Sequence, residues 1–304
     1  MTQENFVFVN EVGPRDGLQN QAVQVEPENR IALIDKLLSA GVPGVEAASF
    51  VNPKAVPRMA GADEIVKGLA GRDELVSVLV PNLRGYELAK AAGAKVINVV
   101  PAASDTMNRK NINMSLEETL EQSCAILRHA KEDGLTGQAY IATAIECPFE
   151  GLTDVETVVT MARQLIDDGA QEIIIADTIG AANPGQVKTL FTRLAEAFDI
   201  SRISAHFHDT RAMGLANAFA ALECGVRKFD ASIGGLGGCP FAPGAAGNMA
   251  TEDLVSMLHQ MGYETGIDEA RLLEASAFAG DLTGLCVGGR MSNWFKSRQK
   301  TTDS

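Results

Sequence analysis

"EIIIADT" (residues 172–178), "GQVKTLFTRLAEAFD" (185–199) and "ISAHFH" (203–208) decide the fold of this chain. A short β-branched run leads into an amphipathic stretch, and a second short apolar run follows. Parallel strands covered by helices read this way. Working outward, the unit recurs. "NFVFVNEV" precedes "ENRIALIDKLLSAG", "GVEAAS" precedes a helix near 61–70, and "ELVSVLVP" precedes "RGYELAKAAG". "KVINVVPA" pairs with "SLEETLEQSCAILRHAKEDG", "TGQAYIATAI" with "DVETVVTMARQLIDDGA", and "KFDASI" with "ATEDLVSMLHQMG". With "ISAHFH" leading into "GLANAFAALECG", the count is eight. Gly41, Gly93, Gly134, Gly169, Gly225 and Gly262 each follow a helical pattern, where glycine commonly stops a helix.

Eight such units in about 260 residues match a (β/α)₈ TIM barrel. A doubly wound open sheet is the competitor, but its glycine-rich first turn is missing: the first turn here is "EVGPRDGLQN". The expected organisation is a single catalytic domain over 1–304, with the barrel over about 6–262 and a short C-terminal helical extension over about 268–304.

Bulk properties narrow the function. The 304 residues are 46% hydrophobic and 21% charged, enough for a sizeable core in a soluble protein. The net charge of −13 argues against nucleic acid and against an anionic membrane surface. No run is long enough to span a bilayer, and no signal peptide is evident. The five cysteines (Cys124, Cys147, Cys224, Cys239 and Cys286) form no C-x-x-C pair. They read as reduced thiols, and the expected location is cytoplasmic.

A barrel places its chemistry at the carboxyl ends of the strands. Strand 1 ends in Glu11, followed by Arg15 and Asp16; strand 2 carries Glu46, strand 6 ends in Asp177, and strand 7 in His206 and His208. Residues two apart on a strand share a face, so both imidazoles point inward. They are either a satisfied structural pair or part of a metal site with Asp16 and Asp177 on the same rim. Two imidazoles and a carboxylate without thiolate suit Mg²⁺ or Mn²⁺, with zinc as an alternative. Arg15 is either a surface ion-pair partner of Asp16 or a guanidinium aimed at developing negative charge, and Glu46 either holds it or is solvated. After strand 8, residues 234–247 contain six glycines and two prolines around Cys239. That segment is either a connector with an incidental thiol or a catalytic loop. Cys124 and Cys224 read as packing.

"NEVGPRDGLQN" (10–20), "VEAASFVNPKAVPRMAGADEI" (45–65), "ADTIG" (176–180), "HFHDT" (206–210), the run from Leu215 to Asn248, and "ATEDLV" (250–255) together resemble the hydroxymethylglutaryl-CoA lyase family. That family belongs to the TIM-barrel metallolyase superfamily, with isopropylmalate synthase and hydroxy-oxovalerate aldolase. The likeness covers about residues 6–265. It implies a divalent metal, Mg²⁺ or Mn²⁺, held by Asp16, His206, His208 and Asn248. It also implies that Arg15 stabilises a thioester enolate, Glu46 orients Arg15, and Cys239 takes part in proton transfer. Asp177 would be a supporting or acid/base group, His206 a base for the substrate hydroxyl, and Glu11 a supporting residue. The implied partner is an acyl-CoA thioester, and the expected assembly is a homo-oligomer, dimer or tetramer.

The sequence departs from the family pattern in four places. Gln21 and Ala22 follow "GLQN" where Glu-Lys is usual. Ile174, Ile175 and Ala176 stand where Ser-Leu-Gly is common. "RAMG" after "HDT" brings Arg211 toward the site, and "GDLTGLCVGGRMSNWF" does not match the stretch that usually contributes to the CoA pocket. The metal core is intact while the acyl-recognition surroundings differ, which leaves citramalyl-CoA as an alternative substrate. An aldolase or synthase of the same superfamily is a further alternative.

Overall fold

The computed structural model describes residues 5–72, 75–238, 247–285 and 288–302. Eight strands close a parallel barrel: β1 (Phe8–Glu11), β2 (Gly44–Ser49), β3 (Leu75–Leu79), β4 (Val96–Val99), β5 (Thr136–Ile141), β6 (Ala170–Asp177), β7 (Ile203–Phe207) and β8 (Lys228–Ala231). Each strand pairs with its sequence neighbours, and β8 returns to β1 with Phe8 opposite Lys228 and Asn10 opposite Asp230.

Helices follow the strands on the outside: α1 (Pro27–Ser39), α2 (Ala62–Gly68), α3 (Leu83–Ala92), α4 (Asp105–Ile112), α5 (Leu116–Glu132), α6 (Val155–Asp167), α7 (Pro184–Ala197), α8 (Gly214–Glu223) and α9 (Thr251–Gln260). The helix α7 shows why these segments fold locally as they do. The Asn183 side chain accepts from the Gly185 and Gln186 amides, Gln186 reaches back to the Asn183 amide, and Pro184 occupies the first turn, where its missing N–H costs nothing. Its buried Val187, Leu190, Phe191 and Leu194 fall on one face. Phe191 meets the outward ring of Phe207 on β7 at 6.3 Å between centroids, and truncating it to alanine should cost about 3–5 kcal/mol. All six glycines read as helix stops have φ between 72° and 117°.

Two local features go beyond the repeat. The helix α4 is an extra element between β4 and α5, capped by Ser104, and Glu146–Cys147 pairs with Gly151–Leu152 in a small antiparallel hairpin after β5. The β2–β3 register shifts between Glu46 and Ala48. Beneath this irregularity the buried Arg30 donates to the Ala47 and Ala60 carbonyls. Burial alone pulls its pKa down to about 10.

Beyond the barrel, α10 (Glu269–Thr283) packs against α1, and α11 (Arg290–Thr302) packs against α9. Glu252 and Asp253 fasten this region to the loop after β8. Glu252 accepts from the Gly234 amide and the Ser276 hydroxyl, and Asp253 accepts from the Arg290 and Met291 amides. Among the described residues, no helix is long and apolar enough to cross a membrane.

Candidate metal centre and active site

The parity of each strand decides what reaches the barrel interior. On β7, Ser204 and His206 face inward with His208 just beyond the strand, while Ala205 and Phe207 face the helices, as the two-residue spacing requires. The two rings lie 5.2 Å apart between centroids. Asp16, in the single helical turn Gly13–Gly17 after β1, approaches from across the rim. One ligand atom each from Asp16, His206 and His208 lies within 4.8 Å of the others.

Asn248 completes the group. Its Nδ2 donates to Asp16 Oδ2 at 2.7 Å and to the Leu236 carbonyl at 3.0 Å, while its buried Oδ1 has no partner. A half-turn of the amide would put that oxygen beside Asp16. A carboxylate, two imidazoles and an otherwise unsatisfied amide oxygen fit a hard divalent cation. Close backbone approach is needed here: a Cβ on Gly237, whose φ is 138°, would lie 2.5 Å from Asn248 Nδ2.

Arg15 is fixed from two sides. Its Nε is 2.5 Å from Glu46 Oε2, and its Nη1 is 3.0 Å from Asp16 Oδ1. Glu46 is itself held by Asn98 Nδ2 at 3.0 Å, and that nitrogen also reaches Ser77 Oγ at 3.1 Å. Burial opposes the guanidinium charge, but Glu46 and Asp16 outweigh it and hold the Arg15 pKa above its ordinary value. Burial likewise opposes the Asp16 charge, yet Arg15, His206 and His208 keep this carboxylate below its usual range. Arg15 is therefore a buried ion-pair partner of Glu46 and Asp16 rather than a surface one.

His206 is tied to a residue that sequence reasoning passed over. Its Nδ1 lies 3.0 Å from Asp230 Oδ2 on β8. Burial disfavours the imidazolium, but the bond to Asp230 outweighs it and raises the His206 pKa. Asp230 also accepts from the Tyr140 hydroxyl at 2.8 Å and from Asn10 Nδ2 at 2.9 Å. The available signal was parity, since in "KFDASI" Asp230 is the polar residue between Phe229 and Ala231.

Two expected site residues face the other way. Asp177 pairs with the outward Phe207, whereas its neighbours Ala176 and Thr178 line the cavity. Its carboxylate accepts from the Ala181 and Ala182 amides and shapes the loop after β6, and burial raises its pKa. The acid/base role expected of Asp177, and a place for it on the metal rim, do not fit this orientation. Glu11 likewise pairs with Ala231 on the outward side. It accepts from the Gly13 amide (2.7 Å), the Ile233 amide (2.8 Å) and the Thr251 hydroxyl (2.6 Å), and so ties the loops after β1 and β8 together. Burial pushes its pKa up to about 8 against those three donors.

Arg211 donates to the Gly180 and Ala181 carbonyls, and it clamps the β6 loop rather than entering the cavity. Gln21 turns back to the Gly17 carbonyl. Cys124 is buried on α5, and Cys224 follows α8 with its thiol near Thr192. Cys239 and Cys286 lie outside the described residues. Gly238, just before Cys239, lines the cavity, and its carbonyl accepts from Asn20.

Arg15, Asp16, His206 and His208 share one wall of a cavity of about 190 Å³, with Asn111 and Tyr140 also lining it.

Comparison with known proteins agrees with this fold. Residues 7–279 match the family model described as HMGL-like. The chain is 44% identical over 275 residues to hydroxymethylglutaryl-CoA lyase from Pseudomonas mevalonii, covering 90% of both chains. It is 45% identical over 281 residues to (R)-citramalyl-CoA lyase from Chloroflexus aurantiacus, covering 89% of both. A solved HMG-CoA lyase from Acinetobacter baumannii, in complex with coenzyme A and 3-methylmalate, superposes with a TM-score of 0.92 at 36% identity, covering 96% of both chains. By its barrel, its clustered rim residues and these matches over nearly its whole length, the chain belongs to the HMGL-like family.

Proposed function

We propose that this protein is a divalent-metal-dependent carbon–carbon lyase that cleaves 3-hydroxy-3-methylglutaryl-CoA to acetyl-CoA and acetoacetate. The observation that carries the reading is the convergence of Asp16, His206 and His208 on one point, beside the buried Arg15. Asp16, His206, His208 and Asn248 would hold Mg²⁺ or Mn²⁺. When bound, the cation would lower the pKa of the substrate's tertiary hydroxyl and anchor a carboxylate oxygen. Transfer of the hydroxyl proton to a water molecule lets the bond between the carbinol carbon and the thioester α-carbon break; the carbinol carbon becomes the ketone of acetoacetate, and the bond's electron pair passes to the thioester as an enolate. Arg15 has Nε and Nη1 engaged, which leaves Nη2 for the enolate oxygen. Cys239 is assigned the proton that quenches the enolate.

With Nδ1 engaged by Asp230, His206 has one nitrogen for the cavity. That nitrogen serves the cation or the hydroxyl proton, not both. We assign it to the cation.

The second reading is cleavage of (R)-citramalyl-CoA to pyruvate and acetyl-CoA, favoured by the 45% identical relative that carries that name. The two substrates differ by one methylene between carbinol and carboxylate, and pockets separate such pairs by about 10–200-fold. Cleavage assays on both thioesters, with metal-stripped protein and added Mg²⁺ or Mn²⁺, decide between them. Cation-dependent acetoacetate supports the first reading, and faster release of pyruvate moves the assignment to the second. Inactivity on both with the cation bound removes the lyase reading. The working location is the cytoplasm, as a homo-oligomer.

A further inference from the structure

Asp230 is 4% exposed and sits inside the barrel, one strand over from His206 and in register with it. Its two oxygens take three donors from three different strands. Oδ1 accepts from Asn10 on β1, while Oδ2 accepts from Tyr140 on β5 and lies 3.0 Å from His206 Nδ1 on β7. The Tyr140 ring also stands edge-on to His206, at 6.0 Å between centroids and 79° between planes. An ionised carboxylate only accepts hydrogen bonds. Only a proton on Nδ1 satisfies the His206 contact, and in the neutral ring that leaves the lone pair on Nε2.

We propose that Asp230 is a positioning residue: it holds His206 with the proton on Nδ1, so that Nε2 is presented to the cation before cation or substrate arrives, while Tyr140 and Asn10 hold Asp230 in place. This role rests on the reading of Asp16, His206, His208 and Asn248 as a cation site. Metal-bound histidines are commonly oriented by such a partner on the other nitrogen, and its loss typically weakens metal affinity or activity by 10–100-fold. The competing view is a buried polar plug that contributes stability alone. The two views separate cleanly, because a plug has no reason to alter metal affinity or the tautomer of a free imidazole.

The test uses the full chain, stripped of metal. Mn²⁺ titration followed by electron paramagnetic resonance should show Asp230→Asn binding about 10–100-fold more weakly than wild type, with its melting temperature nearly retained. A second measurement needs no variant. The chain has four histidines, so long-range ¹H–¹⁵N correlation of the ¹⁵N-histidine-labelled, metal-free wild type at alkaline pH resolves the His206 tautomer, assigned against His206→Gln. A proton on Nδ1 is expected; a proton on Nε2 overturns the proposal, whether or not the variant folds. Wild-type Mn²⁺ affinity in Asp230→Asn, or a lowered melting temperature with unchanged affinity, also overturns it and leaves the lyase reading standing. A wild type that takes up no Mn²⁺ removes the cation site itself, and this role with it.

Discussion

The two ends of the barrel interior carry similar polar residues and treat them in opposite ways. At the amino-terminal end, Glu172 accepts from Lys228 Nζ (2.8 Å), Ser204 Oγ (2.7 Å) and Gln138 Nε2 (3.3 Å), and the space left is about 10 Å³. Charges are paired there and the interior is filled. At the carboxyl-terminal end, Asp16, His206 and His208 converge on a cavity of about 190 Å³, and the buried amide oxygen of Asn248 has no partner. Buried polar groups are rarely left unsatisfied, and Glu172 at the first end meets three donors, whereas the second end sets an unpartnered amide oxygen beside three candidate ligand residues. The lesson is that polarity inside a barrel does not mark a site. Ligand-type side chains converging on one cavity are what we read as one.

The largest expected effect tests the unfinished end directly. His208→Ala should lose both Mn²⁺ binding and turnover, the latter by about 10³-fold or more, as metal titration and the cleavage assay would report. Full activity of that variant after chelation would contradict the site. Cys239→Ala should come next, keeping wild-type Mn²⁺ affinity while turnover falls by about 10²–10⁴-fold, the range for a lost general acid.

At the finished end, Lys228→Met should leave cation affinity and kcat/KM unchanged. It should lower stability by about 1 kcal/mol in denaturant titration, modestly because Lys228 is partly exposed. A collapse of activity there would erase the contrast between the two ends.

The smallest effect concerns Glu11. Its folded pKa of about 8 lies above the ordinary carboxylate value of 4.5, so the folded chain holds a proton that the unfolded chain releases in between. The associated stability is fully present below about pH 4.5 and is lost as the pH rises through about 8. Relative to Glu11→Gln, the wild type should therefore lose a few degrees of melting temperature between mildly acidic and mildly alkaline buffer. A pH-independent difference would refute the assignment.

Much of this was legible in the chain. Strand and helix alternation, with glycine stops at Gly41, Gly93 and Gly134, expresses local preferences that each segment carries alone, and eight such units close in one way. The His206–His208 pairing was legible for the same reason, since two-residue spacing fixes a shared face. The "GPRDG" turn and the glycine-rich segment after β8 marked the rim by composition.

What the sequence could not supply was parity and partnership. Glu11 and Asp177 are charged residues at strand ends, as a site would require, yet barrel closure turns both outward, where they tie loops together. Asp230, Tyr140 and Asn10 look like isolated polar residues in three separate strands. They become one unit only when positions 90 and 220 residues apart are brought within hydrogen-bond distance. The sequence by itself determined which elements form and which side chains on one strand travel together, because those depend on neighbours along the backbone. Only the tertiary structure decided which face looks inward and which distant groups complete each other, because closing the barrel sets both at once.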